Sequence, residues 1–221
     1  MDMVPLYLSL KLAFVTTVVL IIVAAPLTYL LVYIRFAGKS FFEALLSLPM
    51  VLPPTVLGFY LLLVMAPQGS VGRFWKAVTG FPLIFTFAAI VVASLVYSLP
   101  FAIQPMKAAF EKIDLRLLES AYVLGLSPFA TFFRVVIPNS ISGLAAAAVL
   151  VFIHTMGEFG VILMVGGSIP GETKVASIAI YEAVEALRYQ DATMMCLILV
   201  PISYLFLLLI NRLTRRQIYG T

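Results

Sequence analysis

The chain has 221 residues, of which 63% are hydrophobic and 11% are charged, with a formal net charge of +4 and a mean hydropathy of +1.12. A water-soluble domain cannot bury so large an apolar share, so the composition excludes a soluble protein and predicts an all-α integral membrane protein. The single cysteine, Cys196, lies in an apolar run, which excludes a disulfide framework and a cysteine-based metal site.

Five apolar stretches are long enough to cross a membrane, since a spanning helix needs about 20 residues. They cover approximately residues 8–34, 44–67, 83–104, 139–165 and 192–212. We expect them to form one transmembrane domain over residues 1–221. The charged, amphipathic segment 111–138 would then lie in water between the third and fourth spans.

The basic residues are divided unevenly between the two sides that five spans create. One side carries nine of the 14 Lys and Arg residues, namely Arg35, Lys39, Lys107, Lys112, Arg116, Arg134, Arg212, Arg215 and Arg216. The other side carries Lys11, Arg73, Lys76, Lys174 and Arg188. Because the side richer in Lys and Arg is cytoplasmic, we expect the amino terminus outside the cell and the carboxyl terminus inside, with segment 111–138.

Segment 111–138 is patterned as two short helices with a tight turn between them. In the first helix, apolar residues recur at helical spacing, at Ile113, Leu117, Ala121 and Leu124. Gly125 ends that helix, because glycine tolerates a left-handed backbone. A second helix begins at Ser127-Pro128, a helix cap followed by a first-turn proline, and Pro138 is expected to stop it.

The second span is rich in proline, with Pro49, Pro53 and Pro54 followed by Gly58. Prolines weaken the hydrogen bonding of a helix, and a broken helix is tolerated at membrane depth only beside protein or a water-filled path. The pattern leaves two interpretations open, a helix that lines or gates a pathway and a kink that serves packing.

The fourth span combines small residues with two ionisable ones. Gly143 and the run 145–148 predict a close helix contact, across a dimer or within the chain. His154 and Glu158 are four residues apart and would share one helical face. Ionisable groups at this depth face protein or water and tend to pair, so they are either part of a gate or a structural lock. Glu158 is an implausible binder for an anionic cargo, because like charges repel.

Residues 171–191 carry too many charges to span a membrane. Ile180, Val184 and Leu187 fall on one helical face, which predicts an amphipathic helix outside the membrane.

The spacing in segment 111–138 resembles the cytoplasmic loop of bacterial ABC-transporter permeases, which reads E-A-A, three residues, G, nine residues, I-x-L-P. Here the loop has Glu119-Ser120-Ala121, then Gly125, then Val135-Val136-Ile137-Pro138, with Ser for the first Ala and two aliphatic exchanges. The resemblance implies coupling helices that dock in a groove of an ATPase subunit. The implied coupling residues are Glu119, Ser120, Ala121, Gly125, Leu126, Pro128 and Pro138.

Two further segments resemble permeases for molybdate and related oxyanions. One is LPMVLPPTVLG in the second span, and the other contains G-E-F-G at 157–160 and I-P-G-E-T at 169–173. With the coupling loop, the resemblance covers most of residues 40–187, and sulfate permeases share parts of it. It implies a pathway or gate formed by Pro53, Pro54, Gly58, His154, Gly157, Glu158, Phe159 and Gly160.

The resemblance therefore implies the permease subunit of an ATP-driven importer in a bacterial inner membrane, moving molybdate by alternating access. Two stretches that look like phosphate loops fail, because Tyr33 and Glu172 replace required residues. We expect no cofactor and no metal in this chain. ATP and Mg would be bound by two cytoplasmic ATPase subunits, and an extracytoplasmic oxyanion-binding protein, membrane lipid and a second copy of the chain complete the expected partners, without nucleic acid.

Two alternatives remain open from sequence. The first is a permease for sulfate, thiosulfate or tungstate. The second is a membrane enzyme that uses Glu158 and His154 for proton chemistry.

Overall fold

The fold was described from a computed structural model that covers residues 2–218, with the side chains of 209–211 and 213–218 outside the description. This part of the chain is helical and contains no strand. Its α-helices are α1 (Val4–Tyr33), α2 (Lys39–Val51), α3 (Pro54–Met65), α4 (Ser70–Thr79), α5 (Phe87–Phe110), α6 (Leu115–Val123), α7 (Pro128–Thr131), α8 (Ile137–Asn139), α9 (Ile141–Gly157), α10 (Gly160–Gly166), α11 (Ala176–Glu185) and α12 (Tyr189–Ile218), and a π-helical segment, Phe132–Val136, joins α7 to α8.

Within residues 2–218, three helices are long and apolar enough to cross a membrane unaided, namely α1, α5 and α12. Two further spans are possible as bent pairs, so that up to five spans are present, in agreement with the sequence-based count. The first pair, α2 and α3, is bent by 113° at Leu52-Pro53. The second pair joins the helical stretch Pro128–Asn139 to α9, with a bend of 77°.

The predicted span 139–165 is not one helix. α9 ends at Gly157, and α10 begins at Gly160 after an extended Glu158 (φ −67°, ψ 133°). A further helix, Ser70–Thr79, lies between the second and third spans. The third span also runs further than predicted, since α5 continues to Phe110 despite Pro100 and Pro105.

α5 lies at the centre of the bundle and packs against α1, α9, α10 and α2. Its small residues Ala89, Ala93 and Ala102 are fully buried, as are the larger Ile90 and Met106. Small residues let membrane helices approach closely. The helix contact predicted for the fourth span is formed with α5 of the same chain, where Gly143 lies against Ala109.

Two details of the 111–138 pattern were wrong. Pro138 does not stop the second helix, since α8 includes it and the turn falls at Ser140. A proline is compatible with the first turn of a helix because its missing N–H is not needed there. In the first helix, Leu118 and Ala121 are buried, whereas Leu117 is 48% exposed and Leu124 is 79% exposed. The neighbouring helices determine which face of α6 is buried, and this face differs from the one that the apolar spacing predicted.

The helix predicted in 171–191 is present as α11, but it buries another face than expected. Val184 and Leu187 are exposed, and Ile178, Ala179 and Ala183 are buried. Because α11 packs on α12, α1 and α9, its smaller side chains face the bundle.

Arg215 and Arg216, which contributed to the orientation argument, lie outside the described side chains.

Candidate functional site

The predicted coupling loop ends its first helix in a Schellman motif. Gly125 has φ +81°, its N–H donates to the Tyr122 carbonyl at 2.9 Å, and the Leu126 N–H donates to the Ala121 carbonyl at 3.0 Å. These two bonds satisfy carbonyls that the helix end leaves free. The Ser127 hydroxyl then accepts from the Ala130 N–H at 3.2 Å and caps the second helix.

The turn presents a compact apolar surface to solvent. Val123 is 87% exposed, Leu124 is 79% exposed and Phe129 is 74% exposed, with Glu119 and Pro128 also exposed beside them. Exposed apolar clusters of this kind mark sites of contact with another protein or with a membrane. Sequence reasoning singled out Glu119, Ser120 and Gly125 but missed Val123 and Phe129, whose only signal was an apolar residue beside a predicted turn.

This loop is tied directly to the spans. The Tyr29 hydroxyl lies 3.3 Å from the Tyr122 hydroxyl, and the Tyr33 hydroxyl donates to the Phe110 carbonyl at 2.7 Å. Tyr29 also packs edge-on against Phe132 at 5.2 Å between ring centroids. These contacts would therefore transmit a displacement of the loop to α1.

An ion pair holds the carboxyl-terminal part of α5 to α2. The Lys107 Nζ lies 3.0 Å from the Glu43 carboxylate and 4.0 Å from that of Glu111. Because α2 is one arm of a bent pair, this contact connects the start of the loop to the broken second span.

The predicted gate residues of the second and fourth spans come together at the two breaks. α3 packs against α10, and the glycines allow the close approach. A Cβ on Gly160 would lie 3.0 Å from the Pro54 Cβ, and a Cβ on Gly58 would lie 2.8 Å from the Met164 Cβ. Pro53 and Pro54 are exposed at this point and Gly58 is buried. The structure thus places the proline-rich break beside the G-E-F-G break.

Glu158 and His154 do not pair with each other in the described structure. α9 ends between them, so the four-residue spacing no longer places them on one helical face. Instead, the Ser94 hydroxyl donates to the Glu158 Oε2 at 2.9 Å, and the Ser98 hydroxyl lies 2.9 Å from the His154 Nδ1. Both serines are on α5, four residues apart.

The ring of His154 is held between aromatic side chains. It stacks on Phe101 with 3.9 Å between centroids and meets Tyr97 at 4.8 Å. The carbonyl of Glu158 accepts from the Ser177 hydroxyl of α11 at 2.6 Å. Sequence reasoning missed Ser94, Ser98 and Ser177, because a serine in or beside an apolar run gives no signal of its own.

The predicted coupling residues form one exposed turn, and the predicted gate residues form one cluster at two helix breaks. Their roles stay predictions.

Comparison with known proteins identifies the family to which this chain belongs. The family model of the binding-protein-dependent transport system inner membrane component matches residues 12–219. The chain is 46% identical over 206 residues to the molybdenum transport system permease protein ModB of Azotobacter vinelandii, covering 93% of this chain and 91% of that protein. It is 32% identical to a probable sulfate transport system permease protein, cysT, of Prototheca wickerhamii, covering 92% and 79% of the two chains.

Among solved structures, the fold is similar to a chain of a bacterial ABC transporter involved in the import of the acidic polysaccharide alginate. The TM-score is 0.76 at 18% identity, covering 97% of this chain and 79% of that one. The helical bundle with its bent spans is accordingly the fold of ABC-transporter permeases. The chain belongs to the family of binding-protein-dependent transport system inner membrane components, and is a multi-pass inner-membrane protein.

Proposed function

We propose that this chain is the permease subunit of an ATP-driven importer that carries molybdate into the cell. The observation that carries the proposal is the 46% identity to ModB over nearly the whole of both chains. Identity to the sulfate relative is 32% and covers less of that protein, so sulfate is the weaker candidate. The geometry agrees with a transport role. The exposed turn at Gly125 and the helix breaks at Leu52-Pro53 and Glu158-Phe159 belong to the same packed bundle around α5.

The assembly would contain two copies of this chain and two ATPase subunits. One permease with a single coupling turn supplies half a pathway, and a symmetric pair completes it. In this arrangement the exposed Val123, Leu124 and Phe129 enter a groove on the ATPase. ATP and Mg belong to those subunits. An extracytoplasmic binding protein delivers the cargo to the opposite face.

The amino terminus would lie outside, with the coupling turn in the cytoplasm. The excess of Lys and Arg on the side of that turn supports this orientation. Movement of the ATPase subunits would pass through the turn to α1, by way of Tyr122 and Tyr29. The spans would then rock between inward- and outward-open states around the helix breaks.

Substrate identity is tested by uptake in cells that lack their own molybdate transporter and express this chain with its ATPase and binding protein. Radiolabelled molybdate is expected to accumulate. An excess of unlabelled molybdate or tungstate should reduce this uptake more strongly than sulfate at the same concentration. Uptake of sulfate without uptake of molybdate would show that the chain serves the other oxyanion.

A further inference from the structure

The short helix α4, which connects the second span to α5, is attached to the bundle by its smallest residue. Gly72 is the buried residue of this helix. A Cβ on Gly72 would collide with the carbonyl oxygens of Met65 and Ala66 at the end of α3. Trp75, on the same side, is partly buried against a cluster that includes residues of α3, α5 and α10. The side of α4 that contains Gly72 is therefore fixed to the protein.

The large apolar side chains of α4 lie on another side, away from the bundle. Val71 is 41% exposed, Phe74 is 71% exposed and Val78 is 70% exposed. Their spacing of three and four residues places them together, and they form the apolar face of α4. A helix at the surface of a water-soluble domain turns such a face towards the core. Because α4 does the reverse, its apolar face needs a partner outside the described structure.

The side of α4 roughly opposite the apolar face is basic. Arg73 and Lys76 are exposed, lie three residues apart and form the basic pair of α4. Neither takes part in an ion pair within the part of the chain that the structure describes. The sequence contains no Asp or Glu between Glu43 and Glu111, so the adjoining helices supply no acidic residue to offset this charge. A complementary partner would combine apolar groups with negative charge.

The connections of α4 keep it close to the bilayer surface. It precedes α5, whereas the coupling turn follows α5, so a membrane-crossing helix separates the two. Residues 66–69 separate α3 from α4, and residues 80–86 lead from α4 into α5. A helix held by such short connections between two spans lies within reach of lipid headgroups and of the acyl chains beneath them.

Lipid is the partner that has both required properties. An amphipathic helix lies in the plane of the membrane interface when its apolar face contacts acyl chains and its Lys and Arg residues attract anionic headgroups. A stable protein–protein interface usually involves about 20–30 residues on each side. The ten residues of α4 offer a much smaller surface than this, so the observations favour lipid over a protein partner.

We propose that α4 is an interfacial membrane anchor, with its apolar face inserted among the acyl chains of one leaflet and its basic pair bound to anionic phospholipid headgroups. In the proposed orientation this is the outer leaflet. Because Gly72 joins α4 to the end of α3, the anchor holds the second span at the end that lies away from its break. This role is independent of the transported cargo.

The depth of α4 can be measured by fluorescence, because Trp75 is the single tryptophan of the chain. The experiment uses the purified full-length permease in phospholipid vesicles. In the variant Phe74→Trp/Trp75→Phe, the tryptophan stands in the apolar face. Its emission should be quenched strongly by phospholipids brominated along their acyl chains and weakly by acrylamide in the water. Wild type is the matched control, since Trp75 packs towards the bundle and should be quenched less by the same lipids.

The headgroup contact is measured with the same tryptophan in the apolar face. Brominated phosphatidylglycerol in phosphatidylcholine vesicles should quench it more than brominated phosphatidylcholine does, because the basic pair attracts anionic lipid. Adding Arg73→Gln and Lys76→Gln should lower this preference about fivefold for each charge removed. Arg73→Lys keeps both charges and should retain the preference.

Three results would overturn the proposal. Quenching of the Phe74→Trp variant by acrylamide but not by brominated lipid would place the apolar face in water. Protection from both quenchers would place it against protein, such as a second copy of the chain. A preference for phosphatidylglycerol that survives removal of both charges would exclude the headgroup contact. Should the Phe74→Trp variant fail to fold, Val78→Trp/Trp75→Phe carries the same test on the same face.

Discussion

Leu187 holds a backbone conformation that few side chains adopt. Its φ is +57°, and it closes α11 as the left-handed residue of a second Schellman motif, with Leu187 N–H to the Val184 carbonyl at 3.0 Å and Arg188 N–H to the Ala183 carbonyl at 2.8 Å. Its side chain is 72% exposed and gains little from packing. The hydrogen bonds of the helix end hold this conformation, and packing of the side chain contributes little to it.

Replacing Leu187 with Gly is expected to stabilise the protein by about 1 kcal/mol, since the left-handed strain of ~1–2 kcal/mol is removed and part of it is offset by the freedom of Gly in the unfolded chain. The unfolding temperature of the purified transporter measures this. Val184→Gly is the matched control, because Val184 is an exposed apolar residue of the same helix in ordinary helical geometry. It should lower stability, and an equal response of both variants would contradict the explanation.

The ion pair between Lys174 and Glu182 makes the same region sensitive to acid. The Lys174 ammonium group lowers the pKa of Glu182 below its ordinary value. A carboxyl group with a lowered pKa in the folded state stabilises the fold above its unfolded pKa, and this contribution is lost as pH falls through the folded pKa. The effect is small, at most about 1 kcal/mol, because both side chains are partly exposed.

We therefore expect the unfolding temperature of wild type to fall more steeply than that of Glu182→Gln as pH drops from neutral to below the ordinary range of a carboxyl group. Lys174→Met should behave like Glu182→Gln, since it removes the same pair. If both variants keep the full wild-type pH dependence, this pair is not the origin of the acid sensitivity.

At the scale of elements, the contact between α9 and α5 depends on one glycine. A Cβ on Gly143 would lie 2.2 Å from the Ala109 Cβ and 3.1 Å from the Pro105 carbonyl oxygen. Non-bonded carbon atoms do not approach so closely, so the two helices would have to separate. Overpacking of this kind costs typically about 1–3 kcal/mol.

Gly143→Ala should accordingly reduce stability and membrane abundance, and the double variant Gly143→Ala/Ala109→Gly should recover most of the loss. The single variant Ala109→Gly completes the cycle, measured by thermal unfolding. Additive effects of the two changes would show that Gly143 and Ala109 do not share this contact.

The coupling turn depends on another glycine, for a different reason. A Cβ on Gly125 would meet nothing within 4 Å, so substitution costs only the strain of φ +81°. A β-branched residue there should distort the turn by opposing its left-handed backbone, at about 1–2 kcal/mol. We expect Gly125→Val to insert normally but to lose its ATPase subunit and its uptake.

The control for that experiment is Gly125→Asn, because asparagine tolerates the left-handed region better than other side chains. It should retain the ATPase in a pull-down and transport close to wild type. Normal transport by Gly125→Val would mean that this turn is not the coupling element.

For the whole molecule, the sequence predicted the membrane class and the helical fold, because apolar length and motif spacing are local properties. It did not predict that the breaks lie at Leu52-Pro53 and Glu158-Phe159, since a proline or glycine shows where a helix is weak but not how far it bends. The exposed faces of α6 and α11 were assigned wrongly at Leu124 and Leu187 for a related reason. Which side of an amphipathic helix is buried depends on neighbours that are distant in sequence.

The hydrogen bonds of the predicted gate residues were missed for the same reason. Ser94 and Ser98 look like ordinary small residues of α5 until the fold places them against Glu158 and His154. The separation of His154 from Glu158 likewise follows from the end of α9, which the four-residue spacing did not indicate.

We propose that this chain moves molybdate only when an ATPase drives it through the coupling turn. The most direct measurement is molybdate uptake by proteoliposomes that contain the purified permease with its ATPase and binding protein, beside vesicles with the permease alone. We expect uptake that requires ATP and all components, a complex with two copies each of permease and ATPase, and no ATP hydrolysis by the permease alone. Uptake by the permease alone, or by the full complex without ATP hydrolysis, would contradict it.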